Sequence, residues 1–270
     1  VAVDPEVTAA IQAVWEAGGG SYLETLAALD NTNIYGISCQ RGPLAYVAGN
    51  DTHLSTPAKG ASADVAANVK GNVNEQFALL RTENTSAGWY YLYSIAKQAF
   101  VSKDFSYSAT PVCAVNFRDI KGYNAEYPWE VWFGDETGDT KLNVNTSAGV
   151  VLDSWVDFDS GNCFRIEYAE TNVEKTAAAL EAIVTYEAMV AERNIATEFL
   201  NAAPQGAVGY PTDAEREALQ TALDNATTAT DVTTALQAFK ETASVNMPES
   251  GKAYVFTNVH HNGVKNYLNY

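Results

Sequence analysis

Tyr90-Tyr91-Leu92-Tyr93-Ser94-Ile95 is a dense run of aromatic and branched side chains followed by a polar loop, and it reads as a strand. Two other stretches repeat that setting: Ile34-Tyr35-Gly36-Ile37-Ser38 upstream and Lys141-Leu142-Asn143-Val144-Asn145 downstream. Each leads, after a loop, to a second strand, at 75–80, 128–133 and 161–166 respectively. Tyr35 to Tyr91 is 56 residues and Tyr91 to Leu142 is 51, an imperfect period because loop lengths vary. A single such unit cannot bury its apolar face, so three of them predict a pseudo-threefold β-trefoil over residues 32–170. Phe77, Trp132 and Phe164 are then expected at equivalent, buried positions.

Outside this region the texture is helical. Asp4-Pro5 is a start signal, and Val7, Ile11, Val14 and Trp15 form one apolar stripe before Gly18-Gly19-Gly20 breaks it, so residues 1–31 read as a helical N-terminal segment. From 173 to 200 there is neither Pro nor Gly, and Leu180, Ile183, Val184, Met189 and Val190 recur at roughly helical steps. Thr212 with Glu215 opens a second helix in capping-box style, and Thr230-Asp231 opens a third, with Val232, Leu236 and Phe239 as its buried stripe. Residues 171–246 are therefore predicted to form a small α-helical bundle, a spacer whose stripes at 180–184 and 232–239 face one another. After Met247-Pro248 the pattern returns to strand, and 247–270 reads as the opening hairpin of a further β unit. The chain starts at Val1, so it is expected to be a processed product or a fragment.

Charge narrows the partners. Lys and Arg total 16 against 33 Asp and Glu, a net charge of −17, which repels phosphate backbones and anionic lipid and argues against nucleic acid. No run approaches the ~18 apolar residues of a membrane span, so membrane insertion is not expected. Hydrophobic residues make up 47 %, enough for a packed core. Three cysteines, Cys39, Cys113 and Cys163, include no CxxC pair, so neither a disulfide framework nor a zinc site is indicated. Cys39 and Cys163 lie in the first and last strands of the repeat region, where closure brings them near; they are either buried free thiols or a bridge.

Catalytic signatures are absent from the sequence. The three histidines are His53, His260 and His261, and no Gly-x-Ser-x-Gly elbow or phosphate-binding glycine loop accompanies them. Carboxylates crowd two polar turns, Asp135/Glu136/Asp139 and Asp153/Asp157/Asp159. Such turns supply the count for glycoside hydrolysis but not two carboxyls facing across a cleft, and the spacing matches no calcium loop. No cofactor or metal is expected. Sugar recognition needs less: an aromatic face for the ring's C–H surface, with carboxylate or amide groups beside it to read hydroxyls. Asp153, Trp155, Asp157 and Asn162 offer that set within one loop of the third repeat.

Ile34-Tyr35-Gly36-Ile37-Ser38-Cys39-Gln40-Arg41-Gly42, Gly88-Trp89-Tyr90-Tyr91-Leu92-Tyr93-Ser94-Ile95 and Val151-Leu152-Asp153-Ser154-Trp155 with Asp159-Ser160-Gly161-Asn162-Cys163-Phe164 resemble ricin-B-like trefoil modules. These modules occur in large secreted glycosidases and surface proteins of gut Bacteroidetes, sialidases and β-galactosidases among them, alternating with helical spacers. The resemblance covers about residues 34–168. It implies a non-catalytic, lectin-like module that binds glycans, carried with its flanking domains on a secreted or cell-surface glycosidase. The alternative is a structural or protein-interaction spacer without a sugar site. One departure stands out: the Gln-x-Trp of ricin-type repeats survives only as Gln76-Phe77, as Trp129 and Trp132 without Gln, and as Asn162 with Phe164. The sugar site therefore does not transfer position by position.

Overall fold

The computed structural model of the chain describes residues 26, 29–43, 53–54, 72–135, 138–145, 149–153, 159–202, 205–253, 257–259 and 265–267. Two compact units divide it, Val1–Tyr186 and Glu187–Tyr270, and the division falls inside a long helix rather than at the end of the sheet.

The first unit is mostly antiparallel sheet. Its strands are β1 (Asn33–Cys39), β2 (Gly42–Pro43), β3 (Phe77–Leu80), β4 (Trp89–Ser94), β5 (Ala99–Val101), β6 (Tyr107–Ser108), β7 (Ala114–Asp119), β8 (Trp129–Asp135), β9 (Gly138–Asn145), β10 (Gly149–Asp153) and β11 (Phe164–Thr171). Six of them pair in a closed circuit: β1 with β3, β3 with β4, β4 with β7, β7 with β8, β8 with β11, and β11 back to β1. Long and brief pairings alternate around it. β11–β1, β3–β4 and β7–β8 run side by side over most of their length. Between them lie short crossings, Ile34 with Ala78, Trp89 with Asn116, and Trp129 with Phe164. The remaining strands hang from the circuit: β2 on β1, β5 and β6 beyond β4, β9 and β10 beyond β8.

Alternation explains which side chains fill the circuit. Tyr35 and Ile37 of β1, Phe77 and Leu79 of β3, Val115 and Phe117 of β7, Val131 and Phe133 of β8, and Phe164 and Ile166 of β11 share one buried core. Phe77 and Phe164 are buried as the repeat predicts, but Trp132 is half-buried. Phe133, one residue on, takes the core position, because a shift of one residue turns a strand's side chains to the opposite face. Trp132 lies instead under the Arg118 guanidinium, 3.7 Å from the ring centroid, with its Nε1 donating to Glu130. Strand boundaries differ from the repeat too. β7 is an additional strand, and residues 128–133 pair onward with β7, β9 and β11, so β8 opens a unit that the sequence reading has it closing.

The Ala-rich patch over 62–69, read as a loop between strands rather than a short helix, and nearly all of the helical segment expected over 4–30 lie outside the described residues. Leu26 and Leu29 pack against the sheet core, and Asn31 exchanges two hydrogen bonds with the Arg81 backbone, fixing the approach to β1 against the end of β3.

Helix α1 (Val173–Ala202) follows β11 directly, with the Asn172 side chain accepting from the Lys175 amide at its start. The expected facing of stripes is corrected here. Ile183 packs with Ile34, Leu80, Tyr93 and Phe100 in a second core of the sheet unit, Leu180 lies against it, and Val184 is exposed. In the second unit, Met189, Ala196 and Leu200 of α1 are buried instead. Helices α2 (Asp213–Asn225) and α3 (Ala229–Thr242) form a hairpin with it, buried through Leu219, Leu223, Val232, Leu236 and Phe239. Thr212 caps α2, but Glu215 accepts from the Ser244 amide rather than completing a capping box. The full box is at α3, where Thr228, two residues before the expected cap, pairs with Asp231. Phe199 meets Phe239 edge-on at 6.4 Å, and a groove of about 400 Å³ opens beside them, lined by Tyr210, Pro211, Lys240 and Val245. At the C-terminus β12 (Thr257–Val259) and β13 (Lys265–Tyr267) pair as the predicted hairpin. Among the described residues no helix is long and apolar enough to cross a membrane.

Candidate functional site

The sequence singles out the loop between β10 and β11. Asp153 ends β10, its backbone paired with Lys141 of β9, while Trp155 and Asp157 lie outside the described residues. Asn162 is buried in the turn that closes the loop, and its side-chain amide donates to the Leu142 carbonyl at 2.9 Å. That contact anchors the loop to β9.

Around Asn162 the loop is pinned from three directions. Arg41, in the turn after β1, sends Nη2 to Asp159 at 3.0 Å, Nε to the Ser160 hydroxyl at 2.8 Å and Nη1 to the Val144 carbonyl at 3.0 Å. Asp159 in turn accepts from the Gly161 amide and from Asn143 of β9. The Val144 amide donates to the Gly161 carbonyl, and the Gln40 amide to the Cys163 carbonyl. Packing here is so close that a Cβ on Gly161 would stand 2.6 Å from Arg41 Nη1, 2.7 Å from Asn143 Oδ1 and 2.8 Å from the Val144 carbonyl oxygen. Only glycine fits. Asp159 is thus held by Arg41 and two amides, in a structural role.

Cys39 and Cys163 flank this turn as buried free thiols, with Cys39 Sγ donating to the Ser160 carbonyl and Cys163 Sγ to the Asp159 carbonyl. Burial pushes the Cys39 thiol up to about 12 and raises Cys163 as well. His53 pairs through its backbone with Ser106 in an isolated bridge, and Leu54 donates to the Phe105 carbonyl beside it. Among the described residues no three His, Cys, Asp or Glu side chains group as a metal site.

Strand registers bring a second turn to the same end of the circuit. Asp119 pairs with Trp129, Trp129 with Phe164, and Phe164 with Cys39, so the 120–128 turn, the 159–163 turn and the Gln40-Arg41 turn leave neighbouring strand ends. Asn124 joins them, donating to Gln40 Oε1 at 3.2 Å. This turn presents Tyr123, a residue the sequence reading passed over. An aromatic flanked by Gly122 and Asn124 between two strands was the available signal.

On the opposite face of β1 from Tyr35 and Ile37, the polar groups Ser38, Glu75 and Glu167 are buried. Arg165 forms an ion pair with Glu167 and lies 4.9 Å over the Tyr127 ring. Burial raises the carboxyls of both Glu75 and Glu167, the latter against the pull of Arg165.

No protein-family model and no curated protein matches the chain. Among solved structures, the crystal structure of Cry35Ab1 is 14% identical with a TM-score of 0.37, over 53% of this chain and 37% of that one. This chain therefore spans well under half of that protein. A Polyporus squamosus lectin, solved bound to the human-type influenza-binding epitope Neu5Acα2-6Galβ1-4GlcNAc, is 14% identical with a TM-score of 0.36, over 81% of this chain and 80% of that one. At these scores neither likeness bears on fold or function.

Proposed function

We propose that the sheet unit is a β-trefoil serving as a non-catalytic carbohydrate-binding module, with its sugar site in the loop from Asp153 to Asn162. The trefoil reading is supported by the alternation of long and brief pairings around the six-strand circuit, with extra strands hung from β1, β4 and β8. The observation that carries the binding reading is the anchoring of the loop. Arg41, Asn143, Asn162 and a close-packed Gly161 fix its end at 159–162 to β9 and to the turn after β1, so a ligand there meets backbone already in place. Trp155 stacks on the sugar ring, and Asp153 and Asp157 accept from hydroxyls; Asn162 acts from beneath, as an anchor.

The setting, an extracytoplasmic accessory module of a larger glycosidase with the helical unit as spacer, follows from the resemblance of the three repeats to ricin-B-like modules. Glycan-array binding by the full chain tests the function. Retention of oligosaccharides is expected. A blank array contradicts it and leaves the structural or protein-interaction spacer as the reading.

A further inference from the structure

We propose that the 120–127 turn is a second sugar-contacting platform, with Tyr123 as its stacking ring, and that the glycan it takes is uncharged. This rests on the glycan-binding reading above and adds to it a site and a ligand class.

Tyr123 is 56% exposed, and among the described residues of the sheet unit it is the one large aromatic on the surface to that degree. Its backbone is fixed. The amides of Tyr123 and Asn124 both donate to the Ile120 carbonyl, and the Asn124 side chain accepts from the Glu126 and Tyr127 amides. The Ile120 amide donates to the Pro128 carbonyl, and the Lys121 amide to Asp119. A ring held out to solvent by a turn this closely bonded loses little freedom when a sugar stacks on it. Gln40, Asp119 and Glu126 are exposed around it and supply amide and carboxylate groups for hydroxyls. The platform shares its end of the circuit with the anchored 159–163 turn.

Charge sets the class. The cations at this end are engaged: Arg41 by Asp159, Ser160 and Val144, Arg165 by Glu167 and Tyr127, Arg118 by Trp132, and Lys121 over Trp129 at 5.5 Å. A sialic or uronic acid carboxylate arriving here meets the exposed Asp119 and Glu126 on a chain of net charge −17. A neutral oligosaccharide meets no such repulsion.

The test is an array carrying neutral oligosaccharides and their sialylated and uronic counterparts, probed with wild type, Tyr123→Ala, Tyr123→Phe and Trp155→Ala, each checked for an unchanged melting curve. Wild type and Tyr123→Phe are expected to retain neutral glycans, and Tyr123→Ala to lose about tenfold in apparent affinity. Unchanged binding by Tyr123→Ala beside a loss in Trp155→Ala overturns this inference and leaves the glycan-binding function standing. Preference for the acidic counterparts overturns it as well. A blank array for wild type removes both.

Discussion

Trp129 and Phe164 face each other across β8 and β11, and this single register pair joins β8 to β11 and so closes the circuit. Both side chains are buried in the sheet core. The brief crossing therefore depends on side-chain packing more than on its ladder of backbone hydrogen bonds.

Phe164→Ala should accordingly cost about 3–5 kcal/mol, the usual scale for deleting a core aromatic. Trp132→Ala removes a half-buried ring and its Arg118 stack and should cost about 1–2 kcal/mol. Urea unfolding of the two variants checks the order. A larger loss from Trp132→Ala would place that ring, not Phe133, in the core.

Alternation of apolar and polar residues revealed the strands but not their grouping. At β8 the apolar run Val131-Trp132-Phe133 is continuous, so its sequence does not say which neighbour turns inward, and the large Trp draws the assignment one residue off. β7 is hard to read because its alternation is brief, Val115 and Phe117 around Asn116 before Arg118 and Asp119. Without it the repeats group differently. The long helix was legible from its lack of Pro and Gly. What its stripe packs against was not, because an amphipathic face names no partner. The candidate loop was legible in composition, whereas its anchor, Arg41, lies more than a hundred residues upstream.

Ile183 tests that helix. Ile183→Ala should lower the stability of the sheet unit by about 2–4 kcal/mol, while Val184→Ala, next to it but exposed, should change it by less than about 0.5 kcal/mol. Equal effects would mean that the helix start does not pack on the sheet.

Gly161→Ala forces a Cβ against Arg41, Asn143 and the Val144 backbone, and should destabilise by about 1–3 kcal/mol. Because the same contacts hold the loop, glycan affinity should fall with stability. Loss of stability with full affinity would separate the anchor from the site.

Thiol titration reports on the buried cysteines. With Cys39 raised to about 12 and all three thiols buried, the folded protein at neutral pH should react with none of them, and the denatured, unreduced chain with all three. A single reactive thiol after denaturation would reveal a Cys39–Cys163 bridge.

Glu167 predicts a pH dependence. A carboxyl whose folded pKa lies above its unfolded value of about 4.3 binds its proton more tightly when folded. That stabilisation is complete below the unfolded value and is lost as pH rises through the folded one. Wild-type melting temperature should therefore fall with rising pH relative to Glu167→Gln, where this titration is gone. Parallel curves for the two proteins would show that burial does not raise Glu167.

The most direct test of carbohydrate binding is calorimetric titration of the best array oligosaccharide into wild type and Trp155→Ala, at low and high salt. The expected result is weak, saturable binding by wild type that changes little with salt, reduced about tenfold or more in the variant. Equal binding by the two proteins, or affinity that collapses as salt rises, would contradict a neutral-sugar site built on Trp155.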